Sequence, residues 1–118
     1  MKNELMRVFE DWETELTRNE WYFSDCYEAL TKDLSSSDAF EAIPDVIIVL
    51  LTVKDTYLLS ETLDFLDTVY NIANTTEIHP LLREEWRNIK QHIHRLGDDY
   101  SHNVWRKLNK TLGVSELF

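Results

Sequence analysis

Apolar positions recur along this chain at the spacing of helix faces. Leu5, Phe9, Trp12 and Leu16 are four, three and four apart, which predicts a helix from about Asn3 to Arg18. Thr17 followed by Glu20 has the form of a capping box, so a second helix is expected from Thr17, with a stripe of Phe23, Cys26/Tyr27, Leu30 and Leu34. The pattern leaves open whether these are two helices or one bent helix. "SSSD" (Ser35–Asp38) is the clearest internal break, and Asp38 with Glu41 offers another capping box. Pro44 is expected near a helix start, where its missing N–H and fixed φ are tolerated. "PDVIIVLLTV" is apolar on all sides and β-branched enough to suit a buried strand. With no partner strand visible, it reads as a buried helix from Pro44 to about Thr52.

Lys54–Asn74 carries the strongest pattern. One stripe is Leu59, Leu63, Leu66, Tyr70 and Ala73; a second is Leu58, Phe65, Val69 and Ile72. Two stripes predict a helix packed on two sides, as a central helix in a layered array is. Its remaining face is Asp55, Glu61, Asp64, Asp67 and Asn71, an acidic ridge without lysine or arginine. Like charges three and four apart weaken a helix slightly, so the ridge is not explained by the helix itself. The run then enters "NTTEIHP", where Asn74 or Thr76 can cap open helix ends and His79–Pro80 forces an extended step before the next helix. This corner sets Thr76, Glu77 and His79 at the end of the ridge.

From Pro80 the stripe is Leu82, Trp86, Ile89, Ile93 and Leu96, with Gly97 where a C′ glycine belongs. A last helix starts around Asp98/Asp99, uses Val104/Trp105, Leu108 and Leu112, and closes at Gly113. "VSELF" is a short tail that Leu117 and Phe118 could dock. The expected fold is all-α, one domain over residues 1–118, with five or six helices in consecutive antiparallel hairpins. Either a bundle or a short HEAT-like stack fits.

Composition agrees with helices. Only two glycines and two prolines in 118 residues leave little turn chemistry for a β-meander or a phosphate-cradling loop. Cys26 is the single cysteine, which excludes an intramolecular disulfide and a cysteine-based zinc site; it reads as a small buried hydrophobe. The start, "MKNELMRVFEDWE", carries acids where a signal peptide needs an apolar core, and "VIIVLL" is too short to span a bilayer. A cytoplasmic location is the expectation.

The net charge of −10 is unevenly spread. Residues 1–45 hold twelve acids and four bases, residues 46–82 five acids and one base, and residues 83–118 five acids and seven bases. The acidic front two-thirds repels nucleic acid and anionic lipid and attracts a basic protein. Neither direct nucleic-acid binding nor membrane association is expected.

Four histidines lie late: His79, His92, His94 and His102, with Asp98 and Asp99 among them. Metal ligands on one helix must be three or four apart; His92 and His94 are two apart, and His94 to Asp98 crosses Gly97. No metal and no cofactor is expected. "RNIKQH" (Arg87–His92) resembles the Arg-x4–6-His signature of HEPN ribonucleases, which are also compact all-α domains, with Asn88 as the polar residue after the arginine. That resemblance implies a ribonuclease in which Arg87 and His92 of two protomers stabilise and protonate the scissile phosphate. Against it, the same spacing recurs at Arg87–His94 and Arg95–His102, and a strongly acidic chain opposes a polyanionic substrate.

The run "SETLDFLDTVYNIANTTEIHPLL" (Ser60–Leu82) resembles a segment of the small acidic helical immunity proteins that accompany bacterial contact-dependent growth inhibition and other polymorphic toxins. In that family a Ser/Glu-Ala/Thr-Leu helix runs into a Thr-Thr-Glu turn and a proline-started helix. The matching residues here are Glu61, Thr62, Leu63, Leu66, Ala73, Thr75, Thr76, Glu77, Ile78 and Pro80, about a fifth of the chain with their intervening positions; His79 departs from the pattern. The resemblance implies a binding protein rather than an enzyme, one that occludes a cognate toxin, often a basic nuclease. The acidic ridge is the expected contact, with Asp55, Glu61, Asp64, Asp67, Asn71, Thr76, Glu77 and His79 as candidates. A phage-encoded acidic mimic of nucleic acid is the other binding reading that the charge permits.

Overall fold

The computed structural model describes residues 1–113, and among them it contains seven helices and no strand. They are α1 (Lys2–Phe9), α2 (Trp12–Arg18), α3 (Tyr22–Thr31), α4 (Ser36–Thr52), α5 (Thr56–Ala73), α6 (Pro80–Leu96) and α7 (Asp99–Leu112). The all-α expectation holds, but the count of five or six does not. The tail residues Leu117 and Phe118 lie outside the described residues.

The extra helix comes from the first segment. A continuous helix would carry Leu5, Val8, Phe9, Trp12 and Leu16 on one face, so the apolar spacing does not reveal the break. The chain breaks at Glu10–Asp11, and Trp12 then lies flat on Tyr57 of α5, ring centroids 5.0 Å apart and 6° from parallel. Thr17 caps nothing: it sits inside α2 and donates to the Glu13 carbonyl at 2.9 Å. Asn19 makes the local turn before α3 instead, accepting from the Trp21 N–H at 3.0 Å and donating to Asp25 at 3.0 Å.

The capping box of α4 is also three residues earlier than expected. Ser35 accepts from the Asp38 N–H (3.0 Å) and Asp38 accepts from the Ser35 N–H (3.2 Å), so Asp38 is the third helical residue rather than a cap for Glu41. Pro44 therefore lies in the interior of α4, not near its start. A mid-helix proline costs about 3 kcal/mol. Around it Ala39, Ile43, Val46, Ile47, Val49 and Leu50 are wholly buried, and each large side chain of that set contributes roughly 1.5–3 kcal/mol. Burial on both sides of Pro44 outweighs the missing hydrogen bond, so the helix runs through.

Helices α4 and α5 form the central pair, joined by Val53–Asp55. Around them α1 packs on α4, α3 on α5, α6 on α4 and α7 on α5. One layer is thus α1, α4, α6 and the other α3, α5, α7. The thickness of 20 Å, in a body of 43 × 33 × 20 Å, is about two helix diameters. Both predicted stripes of α5 are used: Leu59, Leu63, Phe65, Leu66 and Val69 are wholly buried, with Tyr70 and Ala73 nearly so. Cys26 is half-buried against the same core, and burial raises its thiol pKa above the ordinary value.

Two corners hold the helix ends. At the first, Asn74 takes a left-handed conformation (φ 55°, ψ 45°) that ends α5, and Thr75 accepts from the Glu77 N–H at 3.0 Å. Tyr70 ties this corner together: its hydroxyl donates to the Glu77 carbonyl (3.2 Å) and accepts from the His79 N–H (3.1 Å). His79 Nδ1 then accepts from the Leu81 N–H at 3.0 Å, capping α6. At the second corner Gly97 is extended (φ −77°, ψ 156°), so it is not the left-handed C′ glycine expected there. Its role is space: a Cβ would stand 2.6 Å from the Ile93 carbonyl oxygen and 3.1 Å from Ser101 Cβ. The close approach lets Asp98 cap α7 and meet Ser60 and Ser101, whose hydroxyls are 2.7 Å apart.

Gly97→Ala is therefore expected to lower the unfolding free energy by about 2 kcal/mol, as overpacking against backbone does. Gly113→Ala, with φ 67° and open space around it, should lose only about 1 kcal/mol through left-handed strain. Urea denaturation of the two variants measures the difference; equal losses would mean that the Gly97 corner relaxes freely.

Candidate functional site

The acidic face of α5 is a pair of seams rather than a solvated ridge. Spacing alone predicts a free row of carboxylates, but α3 and α7 pack beside α5 and half-bury Glu61, Asp64 and Asp67. Each carboxylate meets a side chain from a neighbouring helix. The Tyr27 hydroxyl of α3 lies 3.2 Å from both Glu61 Oε2 and the Glu61 carbonyl. Tyr100 of α7 donates to Asp64 Oδ2 at 2.8 Å. Lys107 of α7 stands 3.6 Å from Asp67 Oδ2.

These partners are unequal. Asp67 has a cation, though the lysine is largely solvated and such pairs add little stability. Glu61 and Asp64 have phenols as their hydrogen-bond partners from neighbouring helices. Burial, with the Asp64 charge adding to it, pushes the Glu61 pKa up to about 7, and the Tyr27 hydrogen bond only partly opposes this. Asp64 is raised for the same first reason, with the Tyr100 bond opposing. In return, the Asp64 contact and burial lift Tyr100 to about 12. Two neighbouring carboxylates are thus held partly out of water with no ion pair of their own among the described residues, although the Lys107 charge beside Asp67 also favours ionised Asp64.

Around Glu61 and Asp64 the surface dips into a depression of about 270 Å³ lined by Leu16, Glu20, Phe23, Ser24, Tyr27 and Tyr57. Tyr57 is 43% exposed and Tyr100 54%, so large rings flank the carboxylates in open view. Trp21, which follows the lining residue Glu20, is 64% exposed. Exposed aromatic rings are enriched at protein interfaces, whereas aspartate and glutamate are depleted there.

The other candidates separate from this group. Asp67, Asn71 and Thr76 line a second depression of about 480 Å³ with Tyr70, Asn74, Thr75, Leu108, Thr111 and Leu112. Glu77 borders a third beside Ser36, Phe40 and Glu41. Asp55 caps α5, accepting from the Tyr57 and Leu58 N–H groups at 2.8 and 3.2 Å. His79 caps α6 with its ring against Phe40 (5.1 Å), and burial lowers its pKa. Asp55 has structural work that the spacing did not reveal, and His79 caps the helix expected to start at Pro80.

The rings that complete the site, Trp12, Tyr27, Tyr57 and Tyr100, are absent from the candidate set. One signal was legible: Tyr57 lies four residues before Glu61 on one helix face, outside both apolar stripes. Tyr27 and Tyr100 come from other helices, and only the packing brings them in.

Arg87 and His92 both lie within the unbroken α6, five residues apart, so their side chains diverge around the helix. His92 Nε2 is 2.8 Å from the Val53 carbonyl at the end of α4, while Arg87 is exposed. Among the described residues no group of three histidine, cysteine or acidic side chains could hold a metal ion. No helix among them is long and apolar enough to cross a membrane.

The raised Glu61 pKa has a signed consequence. Between its ordinary 4.5 and about 7 the folded protein keeps a proton that the unfolded chain has released, so this group's contribution falls as pH rises through that window. His79 acts in the opposite sense, since its lowered pKa makes stability fall as pH drops below the ordinary histidine range. Glu61→Gln keeps an acceptor for Tyr27 and removes the first slope. After discounting for solvent access, it should gain about 1–2 kcal/mol at mildly alkaline pH and nothing at acid pH. Urea denaturation of wild type and variant across the pH range checks this; parallel curves would rule out a desolvated Glu61.

No protein-family model, curated protein or solved structure matches this chain.

Proposed function

We propose that this chain is a cytoplasmic immunity protein that neutralises a cognate bacterial toxin by stoichiometric binding, with its helices in a short HEAT-like stack. The acidic–aromatic seam of α5 is the contact surface. One observation carries the reading: Glu61 and Asp64 sit half-buried between exposed tyrosines, with phenols as hydrogen-bond partners and no ion pair of their own among the described residues. Keeping both ionised is unfavourable in the free protein, and an arginine or lysine from a partner supplies the missing compensation. A basic toxin, such as a nuclease with a cationic cleft, provides that chemistry.

The net charge of −10 speeds encounter with such a partner, while ring burial at Tyr57 and Tyr100 slows release. The Ser60–Leu82 resemblance points to the same class of protein. On this reading the chain is not an enzyme, and the bond from His92 to the Val53 carbonyl is a packing contact rather than part of a nuclease centre.

The test is direct binding to the toxin domain encoded beside this chain, measured by calorimetry at two salt concentrations. Glu61→Lys with Asp64→Lys should weaken the complex by about a hundredfold or more and flatten its salt dependence. Wild-type binding should also release protons near neutral pH, because a cation placed beside Glu61 lowers its pKa. Unchanged affinity and salt slope in the double variant would remove this seam from the interface.

A further inference from the structure

On the opposite side of the charge balance lies a cleft between α6 and α7. It has a volume of about 550 Å³, within the range of small-molecule sites, and is lined by Lys90, Gln91, Ile93, His94, Arg95, His102, Trp105, Arg106 and Asn109. Three features set it apart from the acidic seams. Its floor is apolar, since Ile93 and Trp105 are almost wholly buried and Trp105 is backed by Trp86 at 4.4 Å between ring centroids. Its rim carries Lys90, Arg95 and Arg106 with two imidazoles, and no carboxylate is among the described lining residues. None of the three cations forms an ion pair among the described residues; Arg106 reaches only the Asn103 amide oxygen, at 3.0 Å.

The third feature is Asn109. Its Oδ1 is sealed from water and has no hydrogen-bond partner. A buried acceptor left unpaired costs about 1–3 kcal/mol. Three unpaired cations around a low-dielectric floor also focus a positive potential, in a chain whose net charge is −10.

We infer that the α6–α7 cleft is a binding site for a small organic anion whose flat apolar body carries an N–H or O–H donor. The body lies on Ile93 and Trp105, the anionic group is held by Lys90, Arg95 and Arg106, and the donor meets Asn109 Oδ1 after a modest turn of the amide. A nucleoside monophosphate and an aromatic sulfonate share this chemistry. A long polyanion does not suit the site, because the rest of the molecule repels it. The site stands independently of the toxin-binding reading.

The test uses the full chain and the dye 8-anilinonaphthalene-1-sulfonate, which combines an anion, fused rings and an N–H. Saturable fluorescence is expected at one dye per chain, weakening in about 0.5 M salt, with displacement by adenosine monophosphate and not by inorganic phosphate. Arg95→Glu with Arg106→Glu should weaken dye binding by about tenfold or more, the scale of a charge-assisted hydrogen bond, and Asn109→Leu by severalfold, with helix content by circular dichroism unchanged. Should the charge-reversed protein fail to fold, Lys90→Ala with Arg106→Ala serves the same purpose. Absence of saturable binding, equal affinity in the charge variants, or displacement by phosphate alone would overturn the site. So would an oligonucleotide that binds far more tightly than the mononucleotide.

Discussion

Helix α5 is enclosed by α4 on one side and by α3 and α7 on others, and most of the molecule is arranged around that enclosure. A helix so surrounded has little surface left for polar side chains. Ser60 and the acidic positions therefore lie in the grooves between helices and meet groups from elsewhere in the chain, while Thr62 and Thr68 bond back to carbonyls of α5 itself. Ser60 meets Ser101 and Asp98, Glu61 meets Tyr27, Asp64 meets Tyr100, and Asp67 meets Lys107. These contacts run from Ser60 to Asp67 along the middle of α5 and set how α3 and α7 lie against it. The acidic surface is thus a by-product of where a central helix can put its charge, and also what leaves two carboxylates without an ion pair of their own among the described residues.

The two charged features answer to different parts of the fold. The α5 seams are negative because acids outnumber bases along the first two-thirds of the chain, and packing concentrates them. The α6–α7 cleft is positive because these helices carry most of the chain's basic residues and turn three of them to one opening. The Gly97 corner, where α6 and α7 approach closely, brings Ile93 and Trp105 under that opening.

Much of this fold was readable from periodicity. The stripes of α5, α6 and α7 coincide with what is buried, and the ends at Asn74, His79–Pro80 and Gly113 follow from residues suited to those backbone positions. The failures came where local rules compete with tertiary burial. Pro44 reads as a helix start by its own chemistry, yet Ile43, Val46 and Ile47 hold a helix through it. Thr17–Glu20 and Asp38–Glu41 fit a capping spacing, but Asn19 and Ser35 make the turns. The candidate site was legible in its carboxylates and not in its aromatic half, because Tyr27 and Tyr100 reach Glu61 and Asp64 from helices distant in sequence.

The order of the hairpins also has an electrical consequence. The α1–α3 end contacts the central pair and the central pair contacts α6–α7, so chain order becomes spatial order. The strongly acidic N-terminal third and the basic C-terminal third consequently lie on opposite flanks, and the protein has a permanent dipole moment as well as a net charge. In the field of a cationic body such a molecule experiences a torque before it experiences contact. It arrives with the α1–α3 end turned forward and the α6–α7 flank trailing.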